Sequence, residues 1–502
     1  MITPVDYKFG TEPFAHQLIA FERSRNMEYF ALLMEQGTGK TKVIIDTAAW
    51  LYGKGMIDTL MVFAPNGVHR NWVTDEIPIH MPDYVDWEAH IWRAGDFERT
   101  LTHTFMAKLL RKKPEEGLVV FAINIESVLT KGGKKVIEAF LKGRRVLAVV
   151  DESTIIKTPG AKRTKAMIGV GKSRGLAGLA KYRRILDGTP ITQGPFDLYA
   201  PFNFLDPEII GFTSFWSFKH QYGEFEKQMN WQVGKEYETL VEYRNLDELQ
   251  RAIAPFSFAI TKDECLDLPP KVYQKRYFEL NKDQRKIYNS LRDEFIADLD
   301  SGERITAALA MTRLMRLQQI SSNYIGTDDG EKQITPTNPR LKELIAVITN
   351  SKKTIVWCRF IHDVDDVMLA LREEGYEAVR YDGKVKQKDR ADAIARFQGY
   401  EPDKTPIDKS LQAAVFVGSP DAAGRGLTLH AANLVVYYSN SFKAGARMQS
   451  EDRAHRAGLK HSVTYVDLIA EDTIDEHIVE VLRTKRKLAE EVVGEKFRRM
   501  LT

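Results

Sequence analysis

Cysteine is nearly absent: the 502 residues hold two, Cys265 and Cys358. Neither has a Cys or His partner at ligand spacing, so no structural zinc and no disulfide framework is expected. Long apolar runs are missing as well. None approaches the ~20 residues that span a bilayer, and the N-terminal MITPVDYKFG lacks a charged-then-apolar signal pattern. A cytoplasmic protein without membrane contact is therefore expected. There is no internal repeat and no low-complexity tract, which excludes solenoids and repeat arrays. An excess of one charge is also lacking, since 72 Lys and Arg against 69 Asp and Glu leave +3. The net charge thus implies no polyanion partner, but its distribution is uneven. Between Lys157 and Arg184 stand nine Lys or Arg and no Asp or Glu, and RTKRK (483–487) is basic too. Such runs are commonly solvated faces, or a salt-sensitive grip on nucleic acid.

What is present is a chain too long for one hydrophobic core, which points to roughly two to four domains. Short apolar runs read as buried parallel strands: YFALLM (29–34), TLMVFA (59–64), LVVFAI (118–123), VLAVV (146–150), TIVWC (354–358), AAVFV (413–417) and LVVYY (434–438). Helix-period segments separate them, which predicts α/β architecture with parallel sheets. The strands fall into two groups, before about residue 200 and after about residue 350. Between them lie polar, helix-like stretches (281–302 and 304–324) and a segment rich in aromatics from Phe202 to Trp231. The turn-rich TDDGEKQITPTNPR (327–340) is the best linker candidate. The expected division is 1–205, 206–335 as a helical insertion and linker, 336–482, and a basic C-terminal helix over 483–502.

Strand, glycine-rich loop and helix follow one another in YFALLM-EQGTGKT-KVIIDTAAWLY. That order is what a phosphate loop requires. Gly37 and Gly39 let backbone N–H groups turn toward an anion, with Thr38 between them, and the helix N-terminus adds partial positive charge. Lys40 is placed to reach the β- and γ-phosphates of ATP, and Thr41 to hold Mg2+. Met34 stands where the full pattern more often has Gly. A second letter-match, AMIGVGKS (166–173), has neither a strand before it nor a clean helix after it, and is expected to be a basic loop.

VLAVVDEST (146–154) ends a buried apolar run on two carboxylates. Asp151 falls at the carboxyl end of a parallel strand, where such sheets bind ligands. It suits the Mg2+ water shell, and Glu152 suits polarisation of an attacking water.

In number and order these motifs resemble the superfamily 2 helicases and translocases, in particular the Snf2-like branch in its minimal phage or bacterial form. Phe14-Ala15-His16-Gln17 is similar to the adenine-reading motif, with Gln17 on the base. APNGVHRNWVTDE (64–76) is similar to motif Ia, DESTIIKTP (151–159) to the DEAH-type box, and LDGTPITQGPFDLYAPFNFLDP (186–207) to motif III. IAPFSFAITKDECLDLPPK (253–271) resembles the segment that links the lobes. KKTIVWCRF (352–360), VRYDGKVKQKDRADAIARF (379–397), GSPDAAGRGLTLHAANLVVYYS (418–439) and MQSEDRAHRAG (448–458) resemble the motifs of the second lobe.

The resemblance implies two RecA-like lobes with parallel sheets plus the helical insertion, and ATP hydrolysis coupled to movement on DNA, duplex or branched. It assigns the nucleotide to Gln17, Gly37, Thr38, Gly39, Lys40, Thr41, Gly424 and Gly426. Arg453 and Arg456 become the arginine fingers. Asn66, Arg70, Lys157 and Ser419 become phosphate contacts on the nucleic acid. Ser153 and Thr154 replace the usual Ala-His of the box, so coupling to Gly188 and Thr189 falls to Thr154 or another group. A monomer working in a bacterial or host cytoplasm, in DNA repair or recombination, is expected. Two alternatives stay open: an RNA helicase, and a nucleotide-gated binding protein with weak turnover.

Overall fold

The computed structural model describes residues 7–66, 68–92, 100–171, 173–230, 235–300, 307–327, 330–349, 351–401, 405–421, 427–456, 459 and 461–493. The chain forms two compact units, 1–267 with 487–502, and 268–486.

The first unit is built on β1 (Tyr29–Met34), β2 (Thr59–Ala64), β3 (Trp87–Ile91), β4 (Leu118–Asn124), β5 (Val146–Asp151) and β6 (Tyr182–Leu186). A hairpin follows, β7 (Gly223–Asn230) and β8 (Lys235–Tyr243), and then β9 (Ser257–Ile260). The sheet order is β3-β4-β2-β5-β6-β1-β9, with every pair parallel. β7 and β8 pair only with each other, antiparallel. Strand side chains alternate between the two faces of a sheet. Ala31 and Leu33 accordingly enter one core with Phe63, Phe121 and Phe140, while Phe30, Leu32 and Met34 enter another with Ile44, Ile45 and Val62. Both faces are covered, which is why these strands are continuous apolar runs rather than alternating ones.

The second unit holds β10 (Lys271–Phe278), β11 (Tyr324–Thr327), β12 (Gly330–Gln333), β13 (Thr354–Trp357), β14 (Ala378–Tyr381), β15 (Val415–Gly418), β16 (Leu434–Tyr437) and β17 (Val463–Ala470). Its main sheet runs β10-β17-β16-β13-β15-β14, again all parallel. Val356, Val417 and Val436 face one core, Ile355, Phe416 and Val435 the other. Among the described residues no helix is long and apolar enough to cross a membrane.

The stretch expected to be one insertion, 206–335, is divided in the structure. β9 joins the edge of the first sheet and β10 the edge of the second. The unit boundary falls at 267/268, inside the segment 253–271, and not in 327–340. The latter holds β12 and then Asn338, which caps the helix Pro339–Ile348 by accepting from the Arg340 N–H at 3.1 Å. The expected boundary at 482/483 lies within one continuous helix, Ile474–Val493.

Candidate nucleotide site

In a parallel sheet all carboxyl ends lie on one edge, and here that edge collects the loop after β1, the carboxylates after β5 and the Asp-Gly-Thr after β6. β6 lies between β5 and β1, so the residues that follow it sit between the other two groups.

The loop is shaped by two left-handed glycines, Gly37 and Gly39, both at φ 87°. That region is open to glycine without a Cβ penalty. The helix Lys40–Gly53 starts directly behind Gly39. Lys40 folds along the loop, its Nζ donating to the carbonyls of Met34 at 2.8 Å and Glu35 at 3.3 Å. The Thr38 hydroxyl donates to the Glu35 carbonyl at 2.7 Å. Gln17 is fastened to the same loop: its Oε1 accepts the Phe14 N–H at 3.0 Å and its Nε2 donates to the Thr38 carbonyl at 3.1 Å. His16 Nε2 also meets that carbonyl, at 2.8 Å. From the far end of the unit, the Lys262 N–H donates to Glu35 Oε2 at 2.7 Å.

Asp151 is buried at the tip of β5. Trp72 Nε1 donates to its Oδ2 at 2.9 Å and the Glu152 N–H to its Oδ1 at 3.0 Å. Burial pushes its carboxyl above the ordinary value, while the Trp72 hydrogen bond and the Lys40 charge pull the other way. Glu152 adopts the left-handed conformation, φ 56° and ψ 62°. Residues with a Cβ seldom hold this backbone, which costs about 1–3 kcal/mol and recurs at functional sites.

The residues that stand where the Ala-His of the box was expected, Ser153 and Thr154, meet an aspartate. Asp187 Oδ2 accepts the Ser153 hydroxyl at 3.0 Å and the Thr154 N–H at 2.7 Å, and its Oδ1 accepts the Thr189 N–H at 2.9 Å. The Ser153 hydroxyl and the Thr154 backbone amide thus meet on one carboxylate oxygen, and the Thr189 amide on the other. Gly188 lies against the phosphate loop: a Cβ there would stand 2.8 Å from the Gln36 nitrogen. A second carboxylate repeats the stitch. Asp197 Oδ2 accepts the N–H groups of Thr192 at 2.9 Å and Gln193 at 2.8 Å, and the Lys157 ammonium at 3.0 Å. Lys157 also bonds the Thr192 hydroxyl, so it holds the box to the segment after β6.

Lys40, Thr41, Asp151, Glu152, Thr154, Gly188 and Thr189 thus share the carboxyl edge of one sheet. Exposed Asn66 and Arg70 follow β2 on that edge too. Ser419 belongs to the second unit, where it follows β15, its N–H donating to the Tyr381 carbonyl at 3.3 Å. Arg453 and Arg456 follow the helix Ala444–Glu451 there. Arg453 is buried, with Nη1 donating to the Leu427 carbonyl at 3.2 Å, and Arg456 bonds the Thr428 hydroxyl. Gly424 and Gly426 lie outside the described residues. The second letter-match begins within a short helix, Lys162–Ile168, rather than after a strand. Among the aromatics after residue 202, Phe202, Phe204, Phe218 and Tyr222 are core; Trp216 is 65% exposed and stacks on His220 at 4.0 Å.

Sequence reasoning passed over Asp187 and the role of Trp72. Asp187 directly precedes Gly188, and its signal was the coincidence of a hydroxyl pair in the box with a carboxylate before the Gly-Thr.

Residues 21–324 match the SNF2-related domain and residues 338–458 the helicase conserved C-terminal domain. An uncharacterised ATP-dependent helicase of Mycoplasma genitalium is 25% identical over 349 residues, covering 69% of this chain and 30% of its own length. The putative ATP-dependent helicase/translocase YwqA of Bacillus subtilis is 26% identical over 359 residues, covering 68% of this chain and 35% of its own. The chain spans about a third of the length of these curated relatives. The Sulfolobus solfataricus SWI2/SNF2 ATPase core, solved in complex with dsDNA, aligns with a TM-score of 0.41 at 21% identity, over 98% of this chain and 95% of that one.

Proposed function

Because the chain belongs to the SNF2-related family, we propose that it is a DNA-dependent ATPase that translocates on, or remodels, duplex or branched DNA. The observation that carries this reading is the convergence on one sheet edge of the Lys40 loop, the Asp151–Glu152 pair and Asp187–Gly188. The names of the relatives, ATP-dependent helicase and helicase/translocase, agree with it.

In this reading the N–H groups of the 36–41 loop cradle the phosphates and Lys40 exchanges its carbonyl partners for phosphate oxygens. Gln17, tied to the Thr38 carbonyl, positions the loop beside the base. Thr41 and Asp151 offer a hydroxyl and a carboxylate, the hard oxygens that would hold Mg2+. When bound it neutralises phosphate charge. Glu152, held by its left-handed backbone, orients the attacking water and takes its proton. Arg453 and Arg456 are required for hydrolysis rather than for ATP binding, as guanidinium groups matched to the charge of the transferring phosphoryl. Asn66, Arg70 and Ser419 contact nucleic-acid phosphates. Lys157 was expected beside them, but its ammonium is paired with Asp197 in the structure.

The test is ATP hydrolysis with single-stranded, duplex, forked and four-way DNA and with RNA, at controlled salt. DNA is expected to stimulate the wild type, and Glu152→Gln to lower kcat by about 10²–10⁴ while ATP still binds. Preferential stimulation by RNA supports the RNA helicase instead. If wild type and variant hydrolyse ATP equally slowly with every nucleic acid, the motor reading fails and a nucleotide-gated binding protein takes its place.

A further inference from the structure

A cavity of about 710 Å3 opens in the first unit, away from the nucleotide site. Its lining includes Tyr29, Arg174, Lys181, Arg183, Asp206 and Glu208. Tyr29 is the first residue of β1 and the phosphate loop follows the last. At 3.3 Å per residue the two ends of that strand are ~17 Å apart. The cavity therefore belongs to the amino edge of the sheet.

Arg183 is the most buried of the lining cations. Its side chain is only 5% exposed, and its guanidinium lies over the Tyr29 ring, 4.3 Å from the centroid. It donates to the Ala177 carbonyl, yet its Nε is buried with no hydrogen-bond partner. The carboxylate facing it is shared and distant. Asp206 stands 3.8 Å from Arg183 and 3.9 Å from Arg174, beyond hydrogen-bond length. Its Oδ1 is already occupied by the Glu208 N–H at 2.9 Å. Lys181 adds a third cation on the rim, paired with Glu28 at 3.2 Å. Three cations thus line the cavity against two carboxylates, with Glu28 beside Lys181, and Asp206 bonds neither arginine at hydrogen-bond length. Burial pulls Arg183 below its ordinary pKa, which an added anion would reverse. Guanidinium and ammonium groups gathered in one cavity match the charge of a phosphate, and the volume suits a small molecule.

We propose that this cavity is a binding site for a phosphate monoester, separate from the ATP loop. A phosphorylated small molecule and the terminal phosphate of a nucleic-acid strand share this chemistry. Titration calorimetry of the full chain carrying Lys40→Ala, which removes the loop lysine, separates them with ribose 5-phosphate on one arm and a 5′-phosphorylated oligonucleotide, against its unphosphorylated twin, on the other. Binding on either arm is expected to weaken about tenfold or more in Arg174→Gln, the loss of one charge-assisted contact. Asp206→Asn keeps the cap on Glu208 and removes the competing carboxylate, so it should tighten binding severalfold. Circular dichroism melts check that both variants fold. The proposal is overturned if neither probe binds up to about 10 mM, if Arg174→Gln leaves binding unchanged, or if Asp206→Asn weakens it.

Discussion

Ser153 Oγ donates to Asp187 Oδ2 across 3.0 Å, and the same oxygen takes the Thr154 N–H at 2.7 Å. One carboxylate therefore sets the backbone directly after Glu152 and, through Thr189, the turn that presses Gly188 on the phosphate loop. Asp187→Asn keeps the shape but places an amide opposite donors. We expect kcat to fall about tenfold or more, the kinetic equivalent of ~1.5–3 kcal/mol, with ATP affinity unchanged. Ser153→Ala should fall less, since the Thr154 amide remains. Steady-state kinetics beside fluorescent-nucleotide binding checks the split.

Trp72 anchors Asp151 from behind. Trp72→Phe retains bulk and removes the donor. Partners that orient a metal-binding carboxylate are commonly worth 10–100-fold in metal affinity or activity. The half-saturating Mg2+ concentration for ATP hydrolysis is expected to rise by about tenfold. A Mg2+ titration at saturating ATP measures it.

Asp46 lies under the N-terminal segment, accepting the Tyr7 hydroxyl at 3.2 Å and paired with Lys42 at 2.7 Å. Burial pushes its carboxyl up to about 6 from the ordinary 3.8. Between these values the folded chain binds more protons than the unfolded one. Stability is therefore expected to fall as pH rises from about 4 through about 6, by at most ~3 kcal/mol. Melting temperatures across that window test this, and the Asp46→Asn variant should lose the slope.

In the second unit Arg340 is buried and paired with Asp475, and it also donates to the carbonyls of Ser321, Tyr438 and Leu468. Arg340→Ala leaves a buried carboxylate without its main cation, a loss of about 3–5 kcal/mol. The unfolding midpoint of the second unit in denaturant should shift accordingly. Because Lys40 and its loop belong to the first unit, ATP binding at low denaturant should persist.

Much of this was legible in one dimension. The seven apolar runs all became strands because a doubly covered parallel strand must be apolar on both faces. Several of the strands that were not legible have a plain reason. β3 and β14 are edge strands and only partly apolar. β6 carries Arg183 and Arg184 inside a sheet, a pattern that reads as surface. Arg184 is admissible there because it donates to the carbonyls of Ser24, the end of the helix Ala15–Ser24, and of Met27 and Glu28 in the link from that helix to β1. The boundary between the units was misplaced for a similar reason. β9 and β10 are short or polar, and only their pairing partners assign them to different sheets.

The sequence by itself determined which local segments make up the candidate nucleotide site. A phosphate loop and a strand-end carboxylate pair are local patterns, each set by a few consecutive residues and the backbone they require. Tertiary structure alone decided how those pieces are wired. That Asp187 takes the Ser153 hydroxyl, that Trp72 holds Asp151, and that Lys157 pairs with Asp197 are contacts across 34 to 79 residues. Such contacts depend on strand order in the sheet, which places β6 between β5 and β1, and no local spacing encodes that order.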